Sequence, residues 1–214
     1  MGSWTVPFAL DRPGIYRRFG KRCLDFVVAL LGAIALSPVL AVVALLVRLD
    51  SRGPVLYRGW RAGHMGRPFR IMKFRTMVPD AEQLGGSETP DDDPRITRVG
   101  VYLRRFKLDE LPQLFNVVLG EMSLVGPRPE VLAEVEAYTS RERTLLVVRP
   151  GITDWASIKF HHEGRLMLGS DDPHRVYHEV IRPEKVRLGI AYVEQCSFRV
   201  DCGIILRTLV AIFE

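Results

Sequence analysis

An unbroken apolar segment is the feature that most restricts how this chain can fold. From Phe26 to Val47 the sequence reads FVVALLGAIALSPVLAVVALLV, without a charged residue. About 20 such residues in a helix cross a hydrocarbon core of about 30 Å. The segment is too long for a cleaved signal peptide, and no small-residue cleavage site follows it. We therefore predict a membrane-associated helix, with a buried core helix as the alternative.

Ser37 and Pro38 interrupt this segment near its middle. Proline lacks an N–H group and clashes with the preceding turn, so it kinks or breaks a helix. The Ser37 hydroxyl can donate to a carbonyl oxygen that Pro38 leaves unpaired. The pair therefore predicts a break, and Asp25, just inside the boundary, is expected to pair with Lys21 or Arg22.

Basic residues flank the segment on both sides: Arg17, Arg18, Lys21 and Arg22 before it, and Arg48, Arg52, Arg58, Arg61, Arg67 and Arg70 after it. Basic flanks favour the cytoplasmic side of a membrane. A straight span places one of these clusters outside, whereas a hairpin that enters one leaflet keeps both inside. We predict such a re-entrant helix over residues 21–48, with an ordinary kinked transmembrane helix as the alternative.

The chain as a whole is mildly basic. Lys and Arg outnumber Asp and Glu by 30 to 25 over 214 residues, which gives a net charge of +5 and a pI of about 9.3. This balance favours an anionic partner, such as nucleic acid, phosphate ligands or an acidic membrane surface. The three cysteines have no CxxC spacing, which indicates a reducing compartment and no structural zinc.

Beyond Leu49 the pattern becomes mixed. Alternating apolar residues around a Gly-rich turn, between Val55 and Phe74, predict a β-hairpin. Helical spacing of apolar residues predicts a helix that begins near Leu108 or Asp109 and another over Glu130 to Val147 that ends at Pro150-Gly151. Pro183 to Glu214 is expected to hold a further helix and an apolar end, which lies on the membrane interface or in the core.

An acidic, Gly-containing stretch, Ala81 to Pro94, is predicted to be a mobile loop. Its Asp91-Asp92-Asp93 run is interpreted as solvated rather than as a metal site. Together these elements predict an α+β fold that is mostly helical, with a β-hairpin, a re-entrant membrane helix broken at Ser37-Pro38, and interfacial amphipathic helices.

Two adjacent carboxylates, Asp109 and Glu110, lie in the stretch KLDELPQLFNVVLGEMSLVGPRPE. Taken alone, Asp109 is typical of a helix N-cap and Glu110 of a first-turn acid. By the same local reasoning Arg104 is a surface charge. Pro127-Arg128-Pro129 alone indicates only a rigid turn with an exposed Arg.

The order of motifs is more informative than any one of them. KR-x-x-D, the apolar segment broken at SP, GPV, KFRTM, LDELPQLFNV, MSLVGPRP and RPGIT follow one another between Lys21 and Thr153. In this order the chain resembles the bacterial sugar transferase family, the monotopic phosphoglycosyl transferases, close to its minimal catalytic form. The resemblance implies three regions: a basic segment over 1–20, the re-entrant helix over 21–48 and a cytoplasmic catalytic domain over 49–214.

The resemblance also implies a reaction, a cofactor and a location. Such enzymes move a sugar-phosphate from a UDP-sugar to a polyprenyl phosphate such as undecaprenyl phosphate and release UMP. In that family the Asp of the pair is the nucleophile and the Glu helps bind Mg²⁺, which by motif position are Asp109 and Glu110. The expected location is one leaflet of the bacterial inner membrane, facing the cytoplasm. The oligomeric state, including a homo-oligomer, is left open.

Several basic residues are candidates for the phosphate groups. Lys73 and Arg104 match positions that bind phosphate in the family, and Arg75 is expected to act with them. Arg128, held between Pro127 and Pro129, is expected to contact the nucleotide, because its planar fork suits phosphate or base recognition.

The segment after RPGIT departs from the family. The common continuation Gly-Trp-Ala-Gln-Val-Asn-Gly-Arg is replaced by DWASIKFHHEG, with Asp154 in place of Gly. This change bears on sugar and nucleotide recognition more than on the chemistry. An alternative function is a catalytically silent membrane anchor for a glycan-assembly partner, which the intact acid pair disfavours. A nucleic-acid binder is disfavoured because no nucleic-acid motif or interleaved surface aromatics accompany the basic stretch.

Overall fold

The computed structural model describes residues 15–84, 89–90, 92–167 and 172–212. Most of the predicted basic segment, residues 1–14, and part of the predicted loop, residues 85–88 and 91, lie outside the described residues. The helices are α1 Lys21–Ala35, α2 Ser37–Asp50, α3 Ala81–Leu84, α4 Arg98–Arg105, α5 Gln113–Leu119, α6 Leu132–Glu136, α7 Trp155–Lys159, α8 Glu163–Leu166, α9 Pro173–Val176, α10 Arg182–Gln195 and α11 Phe198–Ala211. The strands are β1 Leu56–Tyr57, β2 Trp60–Ala62, β3 Pro68–Arg70, β4 Lys73–Phe74, β5 Ser123–Val125 and β6 Gly151–Thr153.

The predicted break in the apolar segment is confirmed. Helix α1 ends at Ala35 and α2 starts at Ser37, with Pro38 in its first turn. The Ser37 hydroxyl donates to the Ile34 carbonyl oxygen over 2.7 Å, which is the oxygen that Pro38 leaves without an N–H donor. Within the described residues no single helix is long and apolar enough to cross a membrane. Together Tyr16–Ala35 and Ser37–Asp50 have the length and composition, and they are bent by 63°.

Each of the two helices buries one face and exposes the other. Ala29 of α1 packs with residues of β5, α10 and α11 in one core cluster. Leu40, Val43 and Val47 of α2 pack with Phe74 and Leu103 in a second cluster. The opposite faces leave large apolar side chains exposed: Val27, Leu31, Ile34, Val42, Leu45 and Leu46.

The expected partner of Asp25 is wrong. Its carboxylate accepts hydrogen bonds from the Ser123 hydroxyl over 2.7 Å and from the Leu124 backbone N–H over 3.1 Å. Lys21 instead forms an ion pair with Asp201 at 2.6 Å. Arg22 donates to the carbonyl oxygens at the end of α5. The start of α1 is thus fixed to three parts of the following domain: to β5 through Asp25, to α11 through Lys21 and to α5 through Arg22.

The predicted hairpin is present as two short antiparallel pairs. Strand β1 pairs with β4, with Tyr57 opposite Lys73, and β2 pairs with β3, with Arg61 opposite Phe69. A third, parallel pair joins β5 to β6. The described chain is thus mostly helical with small sheets, as expected.

The single helix predicted over Glu130 to Val147 is wrong. The segment contains the short α6 and a 3₁₀ turn over Glu142–Val147, and Gly151 opens β6. The Glu142 carboxylate accepts hydrogen bonds from the backbone N–H and the hydroxyl of Thr139, each over 2.7 Å. This exchange is typical of a capping box, which starts a new turn and interrupts the apolar periodicity.

The C-terminal part forms two helices. Helix α11 buries Ile204 and Ala211 but exposes Leu206, Leu209 and Val210. The core expectation is confirmed for the buried face of α11, and the interface expectation stays a prediction for its exposed apolar face.

Candidate active site

The acid pair lies on a tight turn that precedes α5. Lys107 adopts a left-handed backbone conformation with φ of 54°, and Leu108–Glu110 forms a 3₁₀ turn. Pro112 follows, and α5 starts at Gln113. The predicted α-helix start at Leu108 or Asp109 is therefore one turn too early. Because Pro112 lacks an N–H group, helical hydrogen bonds do not continue from the turn into α5.

Two basic side chains converge on Glu110. Its Oε1 accepts hydrogen bonds from Lys73 Nζ over 2.8 Å and from Arg128 Nη2 over 2.7 Å. Burial disfavours ionisation of Glu110, but the charges and hydrogen bonds of Arg128 and Lys73 outweigh it and hold its pKa well below the usual range. Glu110 is therefore a carboxylate anion in a buried position, only 9% exposed.

Asp109 has the opposite environment. Its side chain is buried, and Oδ1 has no hydrogen-bond partner within the described residues. Burial raises the pKa of Asp109, and the adjacent negative charge of Glu110 raises it further, while Lys73, Lys107 and Arg104 oppose the rise. Neighbouring acids with pKa values pushed apart are typical of sites where two carboxylates have different roles.

Further basic residues surround the pair, and one predicted residue does not join it. Lys107 and Arg104 lie close enough to lower the pKa of Asp109. Arg75 is buried elsewhere, where its Nη2 donates to the Ser51 carbonyl oxygen over 2.7 Å. It also approaches the Val47 carbonyl oxygen at the end of α2. The phosphate-binding prediction for Arg75 finds no support in this geometry, which gives it a role in anchoring α2.

The Pro-Arg-Pro turn presents Arg128 to the acid pair. Pro127 and Pro129 are buried, whereas the Arg128 side chain is 39% exposed. The turn is held against β6, since a Cβ atom on Gly126 would collide with the Arg149 carbonyl oxygen. Only glycine allows this close approach, which fixes the turn that carries Arg128.

Asn116 holds the strand segment that carries Lys73. It is fully buried, its Oδ1 accepts from the Met72 N–H over 2.9 Å, and its Nδ2 donates to the Arg70 carbonyl oxygen over 2.9 Å. Nδ2 also donates to Glu121 Oε2 over 2.7 Å. The residues immediately before Lys73 are thus fastened to α5, the helix that follows the acid pair. Sequence reasoning missed this role.

Replacing Asn116 by Ala should destabilise the chain. The change leaves the part-buried Met72 N–H and Arg70 C=O without their Asn116 partners, which costs about 2–4 kcal/mol and lowers Tm by about 5–15 °C. Thermal unfolding in detergent micelles measures this shift. The matched control is Gln195→Ala, which removes an exposed amide at the end of α10 and should leave Tm almost unchanged. An unchanged Tm for Asn116→Ala would remove Asn116 from this role.

The residues of the pair suit a magnesium ion better than a metal held by protein ligands alone. Among the described residues, no cluster of three or more His, Cys, Asp or Glu side chains could hold a metal. Mg²⁺ typically uses one or two carboxylates and completes its shell with water and substrate phosphates. The unpartnered Asp109 Oδ1 and the ionised Glu110 fit this arrangement. Of the Asp91-Asp92-Asp93 run, Asp91 lies outside the described residues, and Asp93 is paired with Arg95 at 2.6 Å rather than solvated.

A cavity of about 200 Å³ opens beside Glu110 and Arg128. Residues of β6, α7, α10 and α11 form its other walls, and Asp154 lies among them. The motif order identified Asp154 as a departure from the family, but not that it lines the same cavity as Glu110. Lys107, which also lines the cavity, was missed, because an isolated Lys before a turn carries no distinctive pattern.

Comparison with known proteins identifies the family of the chain. The model of the bacterial sugar transferase family matches residues 16–214. The chain is 42% identical over 200 residues to an undecaprenyl-phosphate glucose phosphotransferase of Komagataeibacter xylinus, covering 88% of this chain and 35% of that protein. It is 44% identical over 144 residues to a UDP-glucose:undecaprenyl-phosphate glucose-1-phosphate transferase of Escherichia coli, covering 66% and 31%.

These relatives are longer than this chain, which spans about a third of their length. A relative of similar length is the exopolysaccharide production protein ExoY of Sinorhizobium fredii, 35% identical over 226 residues, which cover 97% of this chain and 93% of that protein. The family match covers the acid pair, the Pro-Arg-Pro turn and the bent helix pair alike. The chain therefore belongs to the bacterial sugar transferase family.

Proposed function

We propose that this chain is a phosphoglycosyl transferase that moves a sugar-1-phosphate from a UDP-sugar to a polyprenyl phosphate and releases UMP. The observation that carries the proposal is the buried Asp109–Glu110 pair facing Lys73 and Arg128, beside a bent apolar helix pair. Two of the relatives are named for transfer to undecaprenyl phosphate, which supports the same acceptor here. The step would be the first membrane step of exopolysaccharide or glycoconjugate assembly.

Asp109 is the proposed nucleophile. A carboxylate oxygen attacks the phosphorus that carries the sugar, the bond from this phosphorus to the bridging oxygen breaks, and UMP leaves with that oxygen. The sugar-phosphate remains on Asp109 as an acyl phosphate. An oxygen of polyprenyl phosphate then attacks the same phosphorus, and the Asp109 carboxylate leaves. Such a covalent intermediate divides one displacement into two and lets a soluble and a lipid substrate react in turn.

The environment of Asp109 supports this role. Its Oδ1 has no hydrogen-bond donor among the described residues, so its charge is less stabilised than that of Glu110. A more basic carboxylate is a better nucleophile. Glu110 is held in place by Lys73 and Arg128, which suits a residue that orients other groups rather than one that attacks.

The surrounding cations would stabilise charge on the reacting phosphate. Lys73 and Arg128 are placed by elements on opposite sides of Glu110, β4 and the Pro-Arg-Pro turn. Lys107 and Arg104 add positive charge near Asp109. Fixed cations in a buried site stabilise developing negative charge more than they would in water. Magnesium, when bound by Glu110 and the diphosphate, would supply further neutralisation of charge.

Replacing Glu110 by Gln should weaken the response to magnesium. The amide has the same shape but no charge, so the Mg²⁺ concentration for half-maximal UMP release should rise at least about tenfold. A titration of activity against Mg²⁺ measures the change. Glu121→Gln, which replaces a carboxylate held by Asn116, is the matched control. An unchanged magnesium titration in Glu110→Gln would exclude Glu110 as a metal ligand.

The bent helix pair supports a position in one leaflet of the bacterial inner membrane, with the catalytic domain on the cytoplasmic face. Exposed apolar residues cover the outer faces of α1 and α2. Basic residues hold both ends of the pair. At its start, Lys21 and Arg22 are bonded to the following domain, and at its end Arg75 donates to the Ser51 carbonyl oxygen. A re-entrant segment would hold the acid pair at the level where the head group of a polyprenyl phosphate lies.

Release of UMP tests the proposal directly. The chain in nanodiscs with Mg²⁺ and undecaprenyl phosphate should release UMP from at least one of a panel of UDP-sugars, and omission of the acceptor should limit release to a single turnover. Release from no donor in the panel would favour the alternative, a catalytically silent membrane anchor. The intact acid pair with its Lys73 and Arg128 contacts is the observation against that alternative.

A further inference from the structure

We propose that the cavity beside Glu110 holds the sugar of the UDP-sugar, and that Asp154 accepts a hydrogen bond from one sugar hydroxyl and so helps select the donor. This inference rests on the proposed function and assigns a substrate-recognising role to the segment in which the chain departs from its family.

The position and size of the cavity suit a group attached to the reacting phosphate. Glu110 and Arg128 both line it, so it lies directly beside the acid pair. About 10–15 Å³ of such space holds one water molecule. A cavity of about 200 Å³ is therefore large enough for a ring with several substituents. A sugar-phosphate that stays on Asp109 after UMP has left also requires a fixed place for its sugar.

The departing segment supplies one wall. Asp154 follows β6 and caps α7, Ala156 and Ser157 lie on α7, and Phe160 directly follows it; all four line the cavity. Much of the remaining wall is apolar: Leu111, Leu114, Leu145, Ile152, Val186 and Ile212. Sites for small molecules usually combine such apolar walls with a few fixed polar groups that set orientation.

Asp154 is the most buried carboxylate on this wall, with 2% of its surface exposed. Its Oδ1 accepts the Ser157 backbone N–H over 2.6 Å and so caps α7. Burial raises the pKa of Asp154 above its usual value, and the hydrogen bonds of Ser157 and the charges of Arg128 and Lys185 offset only part of this rise. Capping α7 does not require a buried carboxylate, since the uncharged side chains of Ser, Thr and Asn also cap helices. The buried carboxylate therefore points to a ligand.

The chemistry of a carboxylate favours the sugar over the uracil base. An ionised carboxylate accepts hydrogen bonds and donates none. A sugar offers several hydroxyl donors around its ring, whereas uracil offers a single ring N–H. Lys185, on the same cavity, is suited to the acceptor lone pairs of neighbouring hydroxyls. Tyr138 and Phe160 give the apolar face of a ring an aromatic surface to pack against.

The test is a double-mutant cycle between the protein and the donor. Asp154→Asn retains the cap but removes the charge. UMP release is measured for the preferred UDP-sugar and its monodeoxy derivatives, in the natural chain and in the variant. We expect Asp154→Asn to lower kcat/KM for the parent donor by about 10- to 150-fold, the range for losing a hydrogen bond to a charged group. One monodeoxy donor should show a similar loss with the natural chain and little further loss with the variant.

Asp172→Asn is the matched control. Asp172 is exposed and caps α9 through the Arg175 N–H over 2.9 Å, so the same change away from the cavity should leave kcat/KM unaltered for every donor. Equal additional losses for all monodeoxy donors would overturn the inference, because Asp154 would then contact no single hydroxyl. A loss that follows replacement of UDP by dTDP, which changes both the base and the ribose, rather than replacement of the sugar, would also overturn it and assign the cavity to the nucleoside.

These outcomes are distinct from failure of the proposed function. If the natural chain releases UMP but Asp154→Asn couples to no hydroxyl, only the inference fails. If the natural chain releases no UMP, titration calorimetry measures how tightly the Asp109→Asn variant binds UDP-sugar and UDP. Absence of UMP release together with no preference for UDP-sugar over UDP would overturn both proposals.

Discussion

Replacing Asp109 by Asn should abolish turnover while leaving the fold intact. The amide has the shape of the carboxyl but cannot form an acyl phosphate, so kcat for UMP release should fall by on the order of 10³-fold or more. The change should not destabilise the chain, because Asp109 is a buried carboxyl whose Oδ1 has no partner among the described residues. Burial and the charge of Glu110 raise its pKa, so ionisation at neutral pH costs stability that a neutral amide does not lose.

Two measurements together test this expectation. UMP release with the preferred donor gives kcat, and thermal unfolding in detergent gives Tm, which should equal or exceed that of the natural chain. Asp92→Asn, an exposed carboxylate outside the site, is the control and should change neither quantity. Near-normal turnover in Asp109→Asn would exclude it as the nucleophile. A large fall in Tm would show that the carboxylate has a structural role instead.

The parts of the fold that the sequence predicted well depend on neighbours in the chain. The break at Ser37 and Pro38 follows from a missing N–H and a hydroxyl that reaches the carbonyl three residues back. The hairpin between Val55 and Phe74 follows from alternation and turn residues. The order of motifs placed Asp109, Glu110, Lys73 and Arg128 in one site before any contact between them was known.

Two of the differences between prediction and structure come from contacts between distant residues. Asp25 was assigned a partner within one helical turn, but its partners lie 98 and 99 residues away. Arg75 was expected to act on the phosphate with Lys73 and Arg104, whereas its guanidinium reaches back to the end of α2. The helix predicted over Glu130 to Val147 is interrupted for a local reason, because the Thr139–Glu142 cap starts a new turn within it. Apolar periodicity alone does not show whether a continuous helix or the Thr139–Glu142 cap forms.

A buried network around Asp201 gives the largest stability effect we expect. Asp201 is 1% exposed and accepts hydrogen bonds from Lys21 Nζ over 2.6 Å and from the Tyr16 hydroxyl over 2.5 Å. The Tyr192 hydroxyl lies 2.8 Å from its other oxygen. These contacts join the start of the bent helix pair to α10 and α11. Helix α11 in turn supplies Thr208 to the cavity wall, where it bonds Thr153 of β6.

Asp201→Asn should therefore lower Tm strongly. The amide has one oxygen and can accept from only one of the two tyrosines, which donate to different oxygens of Asp201, and the Lys21 ammonium loses its ion-pair partner in a buried position. Breaking one side of a buried pair costs about 3–5 kcal/mol, or a fall in Tm of about 6–20 °C for a chain of this size. Glu184→Gln, which breaks a solvent-exposed pair with Lys159, is the matched control and should leave Tm nearly unchanged.

The double variant Lys21→Met with Asp201→Asn distinguishes the charge from the packing. With no unpaired charge left, it should recover at least half of the Tm lost in Asp201→Asn, because replacing a buried pair by neutral groups is often close to neutral. Recovery would show that the cost of the single change is the unpaired, buried charge on Lys21. No recovery would assign the loss to the tyrosine hydrogen bonds and to the shape of the site. A Tm within about 2 °C of the natural chain in Asp201→Asn would mean that the Asp201 network contributes little to holding the helix pair to the domain.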